Sequence, residues 1–529
     1  MKVYNKNKGD EIMDILAFSL YFIAMLGIGI YFYFKSKNRD TSEKDYFLGG
    51  RAMGPWVTAM SAQASDMSAW LLMGLPGSIL AFGFGQAWIG IGLAIGTALN
   101  WILVAKRLRK FSKASGDAIT LPQYLSNRFA SKSHTVSIIC AVVFLICFTI
   151  YVASAFVAGA GVFTTLVPQL SASTAMIIFA VIVVIYTFLG GFNAVCWTDF
   201  FQGLLMLAAL LIVPIVVGLT RDLDPVGLTT VYTGPNGENF EFVSTFFSAS
   251  WKEILSGLGW GLGYFGMPHI IVRFMAIEKP SMVKKSATVA IIWVVLSLAA
   301  TIVIAYFGRM FVYSNGVNAG IDLSQKLLSE GHQTLIFVEL ARDVFPTFIA
   351  GLLLAAIIAA SMSTADSQLL VAASSFTSDL YKPLVRKNAS NKEILWVSRF
   401  VVLAIAVVAY FIASSEGSAA QAIMNLVENA WGIFGAAFGP VVLLSLFWKR
   451  FTYKGAVAGI VSGALVDMLW LWLPVSGGAT LSTITGIYEI IPGFVIGAIF
   501  SVVFTLIDKK PSAEVEAIFE KATDNSIDD

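Results

Sequence analysis

Apolar runs of about 20 residues recur along almost the whole chain, and that recurrence leaves few folds open. A bilayer core holds no water for peptide groups, so each run must close its own hydrogen bonds as a helix. Hydropathy predicts about 13 such segments. They lie at residues 14–34, 55–80, 86–105, 135–160, 171–191, 198–219 and 250–276. The rest lie at 285–313, 346–377, 394–413, 421–447, 454–473 and 486–507. Only 13% of the 529 residues are charged, whereas soluble domains carry about 25%. A soluble protein is excluded, and the expected class is an all-α polytopic membrane protein.

Basic residues alternate between loops. One set runs from Lys35 to Arg51, Lys106 to Lys132, Lys279 to Lys285 and Lys382 to Lys392, then Lys449–Arg450 and Lys509–Lys510. The intervening segments 161–170, 414–420 and 474–485 carry none. Positive-inside logic puts the N-terminus outside and the C-terminus in the cytoplasm, with the N-terminal lysines in mild dissent. The first apolar run is long enough to remain as a span, so no cleaved signal peptide is expected, and Met13 is as good a start as Met1. In the inside loop 111–128, Thr120 and Pro122 predict a short capped helix. The polar tail after Pro511 is expected to fray.

Cys140, Cys147 and Cys196 lack metal-ligand spacing, and His134, His269 and His332 lie far apart. No nucleophile–base pair falls in the spans, so enzyme chemistry is not expected, and a formal charge of +2 gives no reason to expect nucleic acid. No obligatory protein partner is evident.

Three polar islands interrupt the apolar runs. Ser61–Trp70 places Asp66 near the middle of a span, at a cost of at least ~2.5–3.5 kcal/mol on insertion scales, among small residues and hydroxyls. Gly257–His269 has five glycines within ten residues and then Pro268. Each glycine weakens a helix by ~1 kcal/mol and proline by ~3, so this segment is expected to unwind at mid-membrane. The competing reading is that the glycines only permit tight helix contact. Ala359–Gln368 carries Ser363 and Thr364 as adjacent hydroxyls, with Asp366 close by. Two interrupted helices five helices apart point to an inverted-repeat secondary transporter with its site between them.

These islands, with Tyr46–Pro55, Phe148–Ser154 and Trp197–Asp199, resemble the sodium/solute symporter family over nearly the whole chain. Asp66-Met67-Ser68 and Met362-Ser363-Thr364 mark the family, and Trp260–Gly266 is similar to its bacterial proline symporters. The resemblance implies a LeuT-like five-plus-five inverted repeat, with repeats at 55–219 and 250–447. An extra helix and inside loop fill 1–54, two extra helices 448–510, and a cytoplasmic tail 511–529. It implies sodium ligands at the backbone oxygens of Ala64, Met67 and Ala360 and the hydroxyls of Ser363 and Thr364, with Asp66 as the sodium-linked acid. Proline contacts map onto Ser68, Ala69, Tyr151, Trp260, Tyr264 and Pro268. Ala69 stands where glycine is usual, and Met267 where a glutamine-like residue is familiar. Asp199 and Asp366 are a lesser expectation as a second cation site, beside their reading as structural hydrogen-bonding groups.

The implied activity is import of L-proline with sodium across the bacterial plasma (inner) membrane, with no cofactor besides the coupling ion. A sibling symporter for pantothenate, a sugar or an organic acid is the alternative. A channel or membrane sensor fits less well, since no filter-like loop or soluble signalling domain is present.

Overall fold

Helix formation follows the apolar runs. The computed structural model describes residues 8–37, 42–167, 169–318, 323, 325–415 and 419–524. Among them, ten helices are long and apolar enough to cross a bilayer. The three other expected segments depart from regular spans in ways that matter. Segment 55–80 divides into α2 (Pro55–Met67), a 3-10 turn at Ala69–Leu71 and α3 (Gly74–Phe82), after α1 (Lys8–Lys37). Segment 250–276 divides into α7 (Trp251–Gly259), a 3-10 stretch at Trp260–Phe265 and α8 (Pro268–Ala276). Segments 171–191 and 198–219 run together as α6 (Ala172–Thr220), broken at Gly191, where φ is 57°. A β-carbon at Gly191 would fall 3.0 Å from the Tyr46 ring, so both conformation and space call for glycine there.

The remaining long elements are α4 (Phe84–Leu99), α5 (Thr135–Leu166), α9 (Val283–Asn318), α10 (Thr347–Ser375) and α11 (Asn391–Ser415). Then follow α12 (Ala419–Phe447), α13 (Tyr453–Trp472) and α14 (Ile490–Ile507). α10 is the central post: every residue from Leu353 to Ser375 is buried, and it contacts α1, α2, α5 and α6. Its polarity is therefore internal, facing protein on all sides rather than lipid. α12 lies against α5 on one side and against the unwound Trp260–Phe265 stretch on another.

The glycine-rich island does both things that its composition allowed. It leaves the α-helical ladder at Trp260–Phe265, and its glycines are also spent on close approach. A β-carbon at Gly257 would sit 2.6 Å from Trp88 Cβ, and one at Gly261 would sit 2.4 Å from the Gly92 carbonyl oxygen. On the facing helix, Gly96 is 2.3 Å by the same measure from the Gly261 oxygen. The tight-contact reading and the unwinding reading are thus both true. Backbone meets backbone along this seam because neither side carries a side chain.

Two elements outside the spans differ from expectation. The described tail is not frayed: α15 (Ala513–Thr523), capped by Ser512, lies on the helix Lys106–Ala114. Phe519 is 5.2 Å from Phe111, Arg128 lies over its ring at 5.0 Å, and Lys449 pairs with Glu520 at 2.8 Å. Val515, Phe519 and Ala522 fall on one helical face, a pattern hidden by the overall polarity of the tail. Two connecting segments also hold small antiparallel hairpins, Tyr232–Thr233 with Asn239–Phe240 and Pro474–Ser476 with Ala479–Thr480. Their turns use Asn236-Gly237 and Gly477-Gly478, residues that admit positive φ. The expected short helix does form as Leu121–Arg128, with the Thr120 side chain accepting from the Gln123 N–H.

Gly96→Val should lower the melting temperature of the detergent-solubilised protein, by about 1–3 kcal/mol of overpacking. Gly27→Ala, where a β-carbon meets nothing within 4 Å, should not lower it, since alanine favours a helix interior over glycine. Equal melting curves for the two variants would refute the close-contact account of the seam.

Candidate functional site

A helix ending inside a membrane protein leaves its last four carbonyls without intrahelical donors. For α2 these belong to Ala64, Ser65, Asp66 and Met67, because Ser68 turns the chain at φ 48°, ψ −176°. Neighbouring helices supply the missing partners. Ser363 Oγ on α10 lies 2.9 Å from the Ala64 oxygen and 3.1 Å from the Ala360 oxygen, so its one proton can serve either. His269 Nε2 on α8 is 3.1 Å from the Ser65 oxygen. Thr364 Oγ1 is buried with no hydrogen-bond partner. Ala64, Ala360 and Ser363 are therefore brought together, and Met67 closes the same half-helix one turn on. Such a set of carbonyls and hydroxyls suits a small hard cation.

Asp66 is 4% exposed, and its carboxylate accepts the Tyr264 hydroxyl at 2.6 Å. That bond ties the first broken helix to the second. Asp66, Met67, Tyr151, Trp260 and Tyr264 line one cavity together with Trp70 and Trp431. Trp260 stacks on Trp70 at 5.4 Å, and Tyr264 meets Trp431 edge-on at 5.1 Å. Ser68 is buried beside the cavity, and its side chain accepts from the Trp70 N–H at 3.1 Å. The Ala69 carbonyl is committed to the turn, accepting from Leu72 N at 3.1 Å and Met73 N at 2.9 Å. Pro268 stands apart. It opens α8 and lines a different cavity with Phe144, Val272 and Ser374. Met267, just before it, is fully buried.

Asp199 and Asp366 converge, with a third charge between α6 and α10 that the sequence reading passed over. Arg273 on α8 pairs with Asp199 Oδ2 at 3.2 Å, the two side chains being 1% and 0% exposed. Its guanidinium also donates to Ser61 Oγ at 3.1 Å, to the His269 carbonyl and to Ser367 Oγ. Ser367 Oγ in turn is 3.3 Å from Asp366 Oδ1. Asp199 Oδ1 and Asp366 Oδ2 are buried without a hydrogen-bond partner. A guanidinium thus already stands between the two acids proposed for a second cation. The available signal was a lone arginine in the apolar stretch Pro268–Ala276, one turn after His269. Trp70 and Trp431 were missed as well, since an isolated tryptophan in an apolar run carries no such mark.

Arg273→Gln should destabilise the protein by about 3–5 kcal/mol, because it leaves Asp199 buried and unpaired. Adding Asp199→Asn should recover part of that loss in thermal melts; strictly additive losses would show that the pair does not act as a unit.

This arrangement has relatives. A profile of the sodium:solute symporter family matches residues 46–463. A sodium/proline symporter of Escherichia coli (strain K12) is 42% identical over 516 residues, 96% of either chain. One from Staphylococcus aureus (strain NCTC 8325 / PS 47) is 41% identical over 511 residues, 96% of this chain and 95% of the relative. Among solved structures, a substrate-bound, outward-open Na+-coupled sialic acid symporter superposes with a TM-score of 0.72 at 19% identity, covering 94% of this chain and 98% of its own. A nucleobase-cation-symport-1 family transporter in a closed conformation gives 0.53 at 14% identity, over 92% and 99%. These two likenesses show shared fold alone. With the profile spanning most of the chain and the relatives nearly all of it, the chain belongs to the sodium:solute symporter family and is a sodium-coupled transporter, not an enzyme.

Proposed function

We propose that this symporter imports L-proline together with sodium across the bacterial plasma (inner) membrane by alternating access. The observation that carries the solute assignment is end-to-end likeness, at 41–42% identity, to proteins named sodium/proline symporters. The cavity chemistry agrees. A compact apolar ring and a cationic nitrogen suit the faces of Trp260, Tyr264 and Tyr151, each cation–π contact being worth ~0.5–2 kcal/mol. The broken ends near Ser68 and Trp260–Phe265 offer backbone groups for the carboxylate and ammonium.

Thirteen spans follow if the two broken segments and Ala172–Phe188 are counted with the ten long helices. The repeats are 55–219 and 250–447, and the basic loops place the N-terminus outside and the C-terminus inside. Sodium is held by oxygens of Ala64, Met67 and Ala360 with Ser363 and Thr364, and Asp66 lies beside it. Sodium bridging α2 and α10 in this way steadies the broken segment that carries the solute groups, so each ligand raises the affinity of the other. At Asp199 and Asp366, Arg273 supplies positive charge that a second ion would otherwise bring. One sodium per zwitterion is energetically sufficient. The potential supplies ~2.3 kcal/mol per 100 mV and a tenfold sodium gradient ~1.4, together supporting accumulation of a few hundredfold.

Labelled proline uptake into proteoliposomes, with sodium and membrane potential set independently, tests the assignment. Proline should accumulate only with sodium present and faster with a negative interior. Uptake of a different solute, with proline neither transported nor competing, would reject it. Asp66→Asn should reach the membrane yet raise the sodium concentration for half-maximal uptake by about tenfold or more, since it removes a nearby negative charge. A wild-type sodium dependence would reduce Asp66 to its bond with Tyr264. Joint Ser363→Ala and Thr364→Ala should abolish sodium-stimulated proline binding, measured by scintillation proximity. Retained stimulation would remove both hydroxyls from the ion site.

A further inference from the structure

Among the cavity residues, Trp431 belongs to neither broken helix, yet it meets the unwound stretch at two points. Its indole N–H donates to the Trp260 carbonyl at 2.8 Å, within the unwound Trp260–Phe265 stretch. Its ring meets Tyr264 edge-on at 5.1 Å, and Tyr264 holds Asp66. The fit is close enough to dictate a neighbour: a β-carbon at Gly263 would fall 2.0 Å from Trp431 Nε1. About two turns earlier on α12, Met424 Sδ lies 2.8 Å from the Trp70 indole nitrogen and 3.2 Å from where a β-carbon of Gly74 would stand. A single helix therefore grips the outer half of the first broken helix through Met424 and the unwound part of the second through Trp431.

A cyclic amino acid presents a secondary ammonium, which needs carbonyl acceptors wherever water is excluded. Of the residues lining this cavity, Trp260 lies in the unwound stretch and carries the carbonyl that Trp431 engages. We propose that Trp431 is a positioning residue for the solute: its indole N–H and the solute ammonium exchange at the Trp260 carbonyl. Solute binding then releases α12 from the unwound segment, and solute departure restores the latch. This exchange links occupancy to a movement of α12 without a further ion. It rests on the reading of the solute as an amino acid with a cationic nitrogen, and it names the acceptor and the competitor for that nitrogen.

The test uses the full-length protein in proteoliposomes. Trp431→Phe keeps a ring and deletes the competing donor. It should lower the KM for labelled proline about three- to tenfold, the size of one net neutral hydrogen bond, and lower kcat, because release slows. Trp431→His, which keeps a ring N–H, should move both parameters back toward wild type. Tetrahydrofuran-2-carboxylate, with oxygen in place of the ring nitrogen, should compete no better against Trp431→Phe than against wild type. A raised or unchanged KM in Trp431→Phe, or an equal gain for the oxygen analogue, would overturn the exchange. If Trp431→Phe does not reach the membrane, Gly263→Ala displaces the indole instead, and an unchanged KM there overturns it equally. Wild-type protein that takes up no proline overturns the solute reading and this inference together. Uptake by wild type without the shift in KM overturns the inference alone.

Discussion

Peptide groups inside a membrane must find partners within the protein, and the centre of this molecule is where a helix stops doing that for itself. At Ser68 the chain leaves helical geometry and exposes the carbonyls that end α2. Everything nearby is arranged around those oxygens. Ser363 reaches the Ala64 oxygen from α10, His269 reaches the Ser65 oxygen from α8, and Thr364 holds a buried hydroxyl that no protein group has taken. In the proposed sodium site the acceptors are already assembled by the fold, and the ion would replace partners that a continuous helix would have provided.

The second break is stabilised differently. Trp260–Phe265 is hemmed in by contacts that only glycine permits, with α4 on one side at Gly261 and α12 on another at Gly263 and Gly266. A β-carbon at Gly266 would fall 2.3 Å from the Phe434 oxygen. Dispersion gained over such close surfaces offsets part of the lost helical hydrogen bonding. Glycine here serves two ends at once, weakening the helix and letting neighbours come near enough to hold the unwound segment in place.

Charge is managed by pairing across elements. Arg273 joins α8 to Ser61 on α2, Asp199 on α6 and Ser367 on α10. Asp66 is joined to Tyr264. Both broken helices are thus tied to each other and to the continuous helices by groups whose removal would leave a buried partner unsatisfied. Near the start of α2 Arg51, itself at φ 56°, does comparable service, pairing with Asp117 at 2.8 Å and donating to the Ala118 carbonyl at 2.7 Å.

Much of this could be read from residue order. Hydropathy located the spans, glycine and proline located the second break, and the isolated acids and hydroxyls located Asp66 and Ser363, because lipid makes every exception conspicuous. The first break was less legible. Nothing in Ser65–Trp70 marks the positive φ at Ser68, which the surrounding contacts impose. Arg273 went unread because its meaning depends on Asp199, Ser61 and Ser367, which lie 74 or more residues away along the chain. Trp431 and the separation of Pro268 from the aromatic cavity were decided by how α12 and α4 lie against the unwound stretch. Residue order sets which segments are apolar enough to enter a membrane and which residues could not be there idly, since transfer free energy acts residue by residue. Tertiary structure alone decided which polar groups meet, because that depends on the crossing of helices far apart in the chain.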